Sequence, residues 1–196
     1  MKVLVVHCHP LEESLVAAAR DRALAGLRAA GHEVRLTDLY ADGFRPELSE
    51  WERVHHLDPP DGKPEIARYA ADLRWCEALV LVYPTWWAGQ PGMLKGWIDR
   101  VWVAGVAYEL PPGANRIRPL LTNIRRLVAV TTHGSSKFVN ALEGEGGKRV
   151  LTRSLRVLCN RRARTSWIAL YAVDRADDAK RAAFLDRVEQ RMRKLQ

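Results

Sequence analysis

Cysteine is scarce in this chain. Its three cysteines, Cys8, Cys76 and Cys159, stand far apart with no C-x-x-C pair, which rules out a disulfide framework and points to a reducing compartment. No apolar run reaches the length of a membrane span. The first residues lead straight into a strand-like run without a signal-peptide layout, so the expected location is the cytoplasm. Repeats and low-complexity tracts are absent. The loop after the first apolar run has neither the glycines of a dinucleotide fingerprint nor those of a Walker A loop. Acidic residues are in deficit, 23 against 31 Lys and Arg, for a formal charge of +8. What is present is 196 residues with 47% hydrophobic content, enough to fill the core of one domain and to exclude disorder.

Val3–Leu4–Val5–Val6 is an unbroken apolar run, so both of its faces must be buried, as in a parallel sheet. From Leu15 the period changes. Leu15, Val16, Ala19, Ala23, Leu24, Leu27 and Ala30 share a helical face, and Gly31 supplies the stop. A second strand is predicted at Glu33 to Asp38, completing a βαβ unit. The alternation continues with a helix after Pro64 carrying Ile66, Tyr69, Ala70 and Leu73, and a buried strand from Ala78 to Val82. Next comes a helix entered through Pro91 with Met93, Leu94, Trp97, Ile98, Val101 and Trp102 as its apolar stripe. A strand at Leu127 to Val130, a basic helix at Gly147 to Cys159, a strand at Trp167 to Tyr171 and a closing helix bearing Phe184, Leu185, Val188, Met192 and Leu195 complete the series. This pattern predicts an α/β domain with a five-stranded parallel sheet of order 2-1-3-4-5 and helices on both faces. Tyr40 to Lys63 has no strong period, and Pro59, Pro60 and Gly62 interrupt its end. A long loop is expected there, either covering a site or partner or forming a plain surface excursion.

In such a sheet, ligands bind beyond the carboxyl ends of the strands, which brings three loops together. The first, His7-Cys8-His9-Pro10-Leu11-Glu12-Glu13-Ser14, leads to a helix N-terminus, where free amides and the dipole favour an anion. Ser14 either caps that helix or bonds a phosphate, and His9 could add a donor. A metal on His7 and His9 is disfavoured, because Cys8 points the other way and no further ligand lies at zinc-like spacing. The second loop, Tyr83-Pro84-Thr85-Trp86-Trp87-Ala88-Gly89, offers two adjacent indoles as a wall for a planar ligand, unless they pack under the long loop as satellite core. The third, Thr131-Thr132-His133-Gly134-Ser135-Ser136, offers hydroxyls and close backbone amides that can stabilise negative charge on a ring edge. His133 is either a proton donor or a surface or capping histidine.

At these residues the sequence resembles the flavodoxin-like NAD(P)H:quinone oxidoreductases, the DT-diaphorase-like proteins. The similar stretches are His9-Pro10 with Ser14, Asp38-Leu39-Tyr40 with Phe44 and Pro46, Tyr83-Pro84 through Trp87, Pro91 through Leu94-Lys95-Gly96-Trp97 to Arg100-Val101, and Thr131-Thr132 with Gly134. The resemblance implies a single flavodoxin-like domain over residues 1–196 and a non-covalent flavin, FAD by the form of the motifs, with FMN as the other form. His9, Ser14 and the amides of Leu15 and Val16 would meet its phosphate; Pro84, Thr85, Trp86 and Trp87 would line the isoalloxazine; Thr131, Thr132, His133 and Gly134 would reach its pyrimidine edge. It further implies a cytoplasmic homodimer that passes two electrons from NADH or NADPH to a quinone or similar acceptor by a ping-pong sequence. Four positions depart from the family pattern. Val16 stands where asparagine is usual, Trp86 where glutamine is, and His133 where a second glycine is; Phe138 and Val139 fall near a tyrosine that some members place over the acceptor.

The basic cluster of Arg149, Arg153, Arg156, Arg161, Arg162 and Arg164 is either a solvated face or an attractor for cofactor phosphates and anionic substrates. With few interleaved aromatics it does not suggest nucleic acid, and any membrane association would be peripheral. Two other functions fit the resemblance: a flavin-binding regulatory subunit of a glutathione-gated potassium efflux system, and a flavodoxin-type electron carrier, which the positive charge opposes.

Overall fold

The computed structural model describes residues 1–58 and 64–196. Strand β1 (Lys2–His7) runs parallel to β2 (Glu33–Asp38) on one side and to β3 (Ala78–Thr85) on the other. Strand β6 (Arg126–His133) pairs parallel with β3, and β7 (Arg164–Leu170) with β6. The five-stranded sheet therefore has the order β2-β1-β3-β6-β7, the expected 2-1-3-4-5 when its own strands are counted. A small antiparallel ribbon of β4 (Tyr108–Glu109) and β5 (Arg118–Pro119), too short for a period to show, stands apart from it.

Each sheet face carries its own core. Val3, Val5, Val80, Val82, Val128 and Val130 point to helices α1 (Leu15–Ala29) and α7 (Asp178–Arg193), which contribute Leu24, Leu27, Phe184, Val188 and Met192. Leu4, Val6, Leu79, Leu81 and Leu127 point the other way, to α3 (Pro64–Trp75) and α4 (Gly92–Val101), meeting Ile66, Leu73, Leu94 and the fully buried Trp97. Each such side chain contributes roughly 1.5–3 kcal/mol of burial free energy. Helix α1 stops where predicted, with Gly31 in the left-handed region at φ 76°.

Two segments correct the sequence reading. The stretch from Tyr40 to Lys63 is not all loop, because a five-residue helix α2 (Glu50–Val54) lies within it. One and a half turns are too short to show a period, but a capping box marks the helix: Ser49 accepts from the Glu52 amide at 3.1 Å, and the Glu52 carboxylate accepts from the Ser49 amide at 2.9 Å. Pro59, Pro60, Gly62 and Lys63 lie outside the described residues. The segment is fastened to α4 by Arg100, which is 4% exposed and donates to Glu52 at 2.9 Å, to Glu65 at 2.7 Å and to the Arg45 carbonyl oxygen. Gly96, one turn before Arg100, lets the chain at Pro46 lie against α4; a Cβ there would overlap the Pro46 backbone.

The basic helix expected from Gly147 to Cys159 is three pieces. A short α6 (Gly146–Arg149) passes into a π-helical turn (Val150–Leu155) and a 3-10 turn (Arg156–Leu158). The Thr152 hydroxyl donates back to the Lys148 carbonyl at 2.8 Å, a local bond that competes with regular α geometry. A further short helix, α5 (Lys137–Leu142), follows the β6 loop and is capped by Ser136.

Candidate functional site

The carboxyl ends of β1, β3 and β6 are neighbours in the sheet, so their three loops meet at one edge of the domain. The first loop leaves β1 with the Cys8 amide bonded to the Val82 carbonyl at 2.9 Å. Ser14 caps α1, its hydroxyl accepting from the Ala17 amide at 3.0 Å, and the Ser14 carbonyl accepts from Ala18. The amides of Leu15 and Val16 fall in the first turn and have no acceptor among the described residues. Glu12 and Glu13 are exposed, so they leave this helix end open to an anion. The His9 Nδ1 lies 3.0 Å from the Leu11 amide and 3.1 Å from the Leu11 carbonyl oxygen, contacts that fasten the ring to the loop. Its ring lies 6.4 Å from that of Trp86, joining the first loop to the second.

In the second loop, Trp86 and Gly89 exchange backbone hydrogen bonds of 3.2 and 3.0 Å around Trp87 and Ala88. Both central residues have positive φ, 49° and 56°, the conformation of a type I′ turn usually filled by Asn-Gly. The indoles are not core. Trp86 is 44% exposed beside His9 and Trp87 is fully exposed at the turn tip, so both are open to a ligand. Packing under the long loop is thereby excluded. A bulky residue held in the left-handed region is strained, and strain of this kind concentrates at ligand-binding turns. Ala88→Gly is expected to relieve about 1 kcal/mol of it and raise the melting temperature by about 2–4 °C. A lower melting temperature would contradict the turn geometry.

The third loop ends β6. Thr131 is buried, and its hydroxyl bonds that of Thr85 at 2.9 Å, which ties the two strand ends together. Thr132 and His133 are also buried, while Gly134 lies on the surface facing the Asp174 carboxylate. The His133 ring stacks on Tyr171 with centroids 4.5 Å apart; Nε2 lies 3.4 Å from the Thr85 hydroxyl and Nδ1 is buried without a partner. A cleft of about 580 Å³ opens between the second and third loops, bounded by Pro84–Ala88, Thr132–Ser135, Asn140, Glu143, Val173 and Asp174. The twelve residues expected at a cofactor thus gather in two adjoining places, eight at the cleft and four at the helix end. Pro84, Thr85, Trp86, Trp87, Thr132, His133 and Gly134 line the cleft, and Thr131 supports it from beneath. His9, Ser14, Leu15 and Val16 form the adjoining helix end. Phe138 and Val139 are exposed on α5.

Sequence reading missed His7 and the part Asp38 plays. His7 is 1% exposed and its Nδ1 lies 2.8 Å from Asp38 Oδ2, which Arg20 of α1 approaches at 3.4 Å. The other Asp38 oxygen accepts from the Tyr40 and Ala41 amides. This array pins the ends of β1 and β2 to α1; the signal was the pairing of His7 with Asp38 in register. Burial lowers the His7 pKa against the raising influence of Asp38, and burial also lowers that of His133. Burial pushes Asp38 up, but hydrogen bonds from His7 and the two amides outweigh it and hold the carboxyl below its ordinary value.

An unfolded chain takes up protons at both histidines near 6.5, whereas the folded chain resists until lower pH. The stabilisation is full above that value and is lost as pH falls through the folded pKa values, with Asp38 adding a further loss in stronger acid. The melting temperature is therefore expected to decline as pH falls below about 6.5, and a flat profile would contradict the burial of these rings.

Among the described residues no cluster of His, Cys, Asp and Glu could hold a metal ion, and no helix is long and apolar enough to cross a membrane. All three cysteines are buried free thiols, each pushed up to about 12 by burial.

The fold and this edge define a class. A family model for the flavodoxin-like fold matches residues 1–195, and the chain belongs to that family. Among curated proteins it is 28% identical over 162 residues to a ribosyldihydronicotinamide dehydrogenase-like protein of Penicillium crustosum, covering 72% of this chain and 61% of that one. Among solved structures it is similar to Smu.1420 of Streptococcus mutans, with a TM-score of 0.85, 28% identity and 100% of both chains covered. It is also similar to the NAD(P)H:quinone oxidoreductase of Methanothermobacter marburgensis, with a TM-score of 0.82, 26% identity and 98% and 96% of the two chains covered.

Proposed function

We propose that this chain is a single-domain, flavin-dependent NAD(P)H oxidoreductase that reduces quinones or similar acceptors in a two-electron, ping-pong sequence. The observation that carries the reading is the helix end with free Leu15 and Val16 amides beside a cleft floored by the strained Trp86–Gly89 turn. The residues present fit a flavin: a planar ring against the turn, an anionic tail at α1. When bound, the flavin would take two electrons from a nicotinamide and release them to the acceptor.

The chain's own groups set the orientation. The Leu15 and Val16 amides, the Ser14 hydroxyl and the His9 ring hold the phosphate, each charge-assisted bond contributing roughly 1.5–3 kcal/mol. Glu143 and Asp174 in the cleft lining repel an anion, so the tail is directed to α1 and not into the cleft. Pro84, Thr85, Trp86 and Trp87 back the ring, while Thr132 to Gly134 face its edge over Thr131. His133, kept neutral by burial, acts as a cleft-edge hydrogen-bonding group and is the candidate proton donor. FAD and FMN share the ring and first phosphate that these residues address; the motifs favour FAD. A second copy of the chain would cover the apolar face of α2, where Trp51 and Val54 stand 50% and 70% exposed. Buried free thiols suit the reducing cytoplasm.

Flavin-loaded protein is expected to oxidise NADH or NADPH with a small benzoquinone or naphthoquinone as acceptor, giving parallel double-reciprocal lines. Absence of turnover with both nicotinamides would refute this function.

A further inference from the structure

We propose that the open edge of β7 docks an extended acidic peptide segment of a partner protein as an added, sixth strand. β7 is the last strand of the sheet. The Arg164 amide bonds inward to the Arg125 carbonyl at 3.0 Å, so alternation turns the backbone groups of Thr165, Trp167 and Ala169 outward. Among the described residues only the Ala169 carbonyl of these groups is taken, by Arg187 at 2.9 Å, and this bond marks the end of the free edge. Along the edge runs a groove of about 1020 Å³ lined mainly by β7 and by α7 with the residues after it, and also by Arg126 and Val128 of β6, Lys137 of α5 and Lys148 of α6.

The charge of this groove is one-sided. Arg126, Arg164, Arg187, Arg191 and Lys194 line it together with Lys137 and Lys148, and among the described residues no aspartate or glutamate does so. Of these seven, among the described residues, Lys148 alone is in an ion pair, with Glu145 at 2.8 Å, whereas Arg22 and Arg193 nearby are neutralised by Glu189. Unpaired backbone groups confer affinity for an extended chain, and the arginine and lysine rows select acidic side chains on it. A second copy is a poor occupant, because two β7 edges would bring like-charged rows together. None of the exposed large apolar side chains lies in the groove, which leaves a membrane nothing to insert. Its two aromatic rings, Trp167 and Tyr171, already pack on His133, so no free platform is left for stacked bases.

This surface is separate from the proposed flavin residues, and its test does not depend on them. A fluorescent eight-residue Glu-Val repeat and the same repeat with every peptide nitrogen methylated, equal in charge, are titrated into the full chain, with flavin added or not. The methylated peptide has no amide donor for a β-ladder in either register, so the Glu-Val peptide is expected to bind saturably and the methylated one at least about tenfold more weakly. The double variant Arg191→Glu, Lys194→Glu, at two exposed positions, is expected to lose Glu-Val binding and keep its melting temperature. Equal binding of the two peptides, unaltered binding by the double variant, or no saturable binding would overturn the proposal. Displacement of the peptide by an oligo-dT strand or by phosphatidylserine vesicles at lower charge concentration would overturn it too, in favour of nucleic acid or membrane.

Discussion

Replacing Leu15 by proline is expected to weaken flavin binding roughly ten- to a hundredfold, the equivalent of one hydrogen bond to a charged group. Leu15 is the first residue of α1, where proline is tolerated because the missing amide has no helical partner. Ser14 before it is already extended, with φ −103° and ψ 158°, as a residue preceding proline must be. The variant therefore removes a ligand for the phosphate without removing the helix. Its melting temperature is expected to fall by no more than about 4 °C, from lost side-chain packing. Leu15→Ala, which keeps the amide but loses the same packing, should retain the parent affinity. If Leu15→Pro binds flavin as the parent does, the amide is not a phosphate ligand.

Arg100→Leu is expected to destabilise the fold by about 3–5 kcal/mol, because it strands the buried Glu52 carboxylate and the Arg45 carbonyl at once. The urea midpoint reads this loss. A double variant, Arg100→Leu with Glu52→Leu, should recover part of it, since the penalty comes mainly from the uncompensated charge. An unchanged midpoint in the single variant would show that the ion pair is solvated and that the 45–58 segment is held by Phe44 and Leu39 instead.

Strong periodicity made the sheet legible. Val3 to Val6, Leu79 to Val82 and Leu127 to Val130 are apolar on both faces, which only a covered parallel sheet satisfies, and the helices between them fixed the order. Helix α2 escaped because its stability comes from Ser49, Glu52 and Arg100 and not from an apolar stripe. The break after Arg149 escaped because it shows in local backbone and side-chain bonding, such as that of Thr152 to the Lys148 carbonyl, and not in the apolar period. At the candidate site, the gathering of three loops followed from strand order alone. The Trp87 backbone did not: nothing in Trp-Trp-Ala-Gly announces two left-handed residues, since Asn or Gly normally carries that signal. His7 carried no role in the sequence, where a metal on it and His9 was disfavoured, and the strand pairing sets it against Asp38.

The central claim is that a flavin ring lies at the Trp86–Gly89 turn with its phosphate on α1. Its most direct test is a titration of the protein with FMN and with FAD, followed by tryptophan and flavin fluorescence and closed by acid release and mass identification of whatever is bound. Saturable one-to-one binding of at least one flavin, with quenching that Trp87→Ala reduces, is the predicted result. Protein that stays colourless and leaves the fluorescence of both flavins unchanged would contradict it.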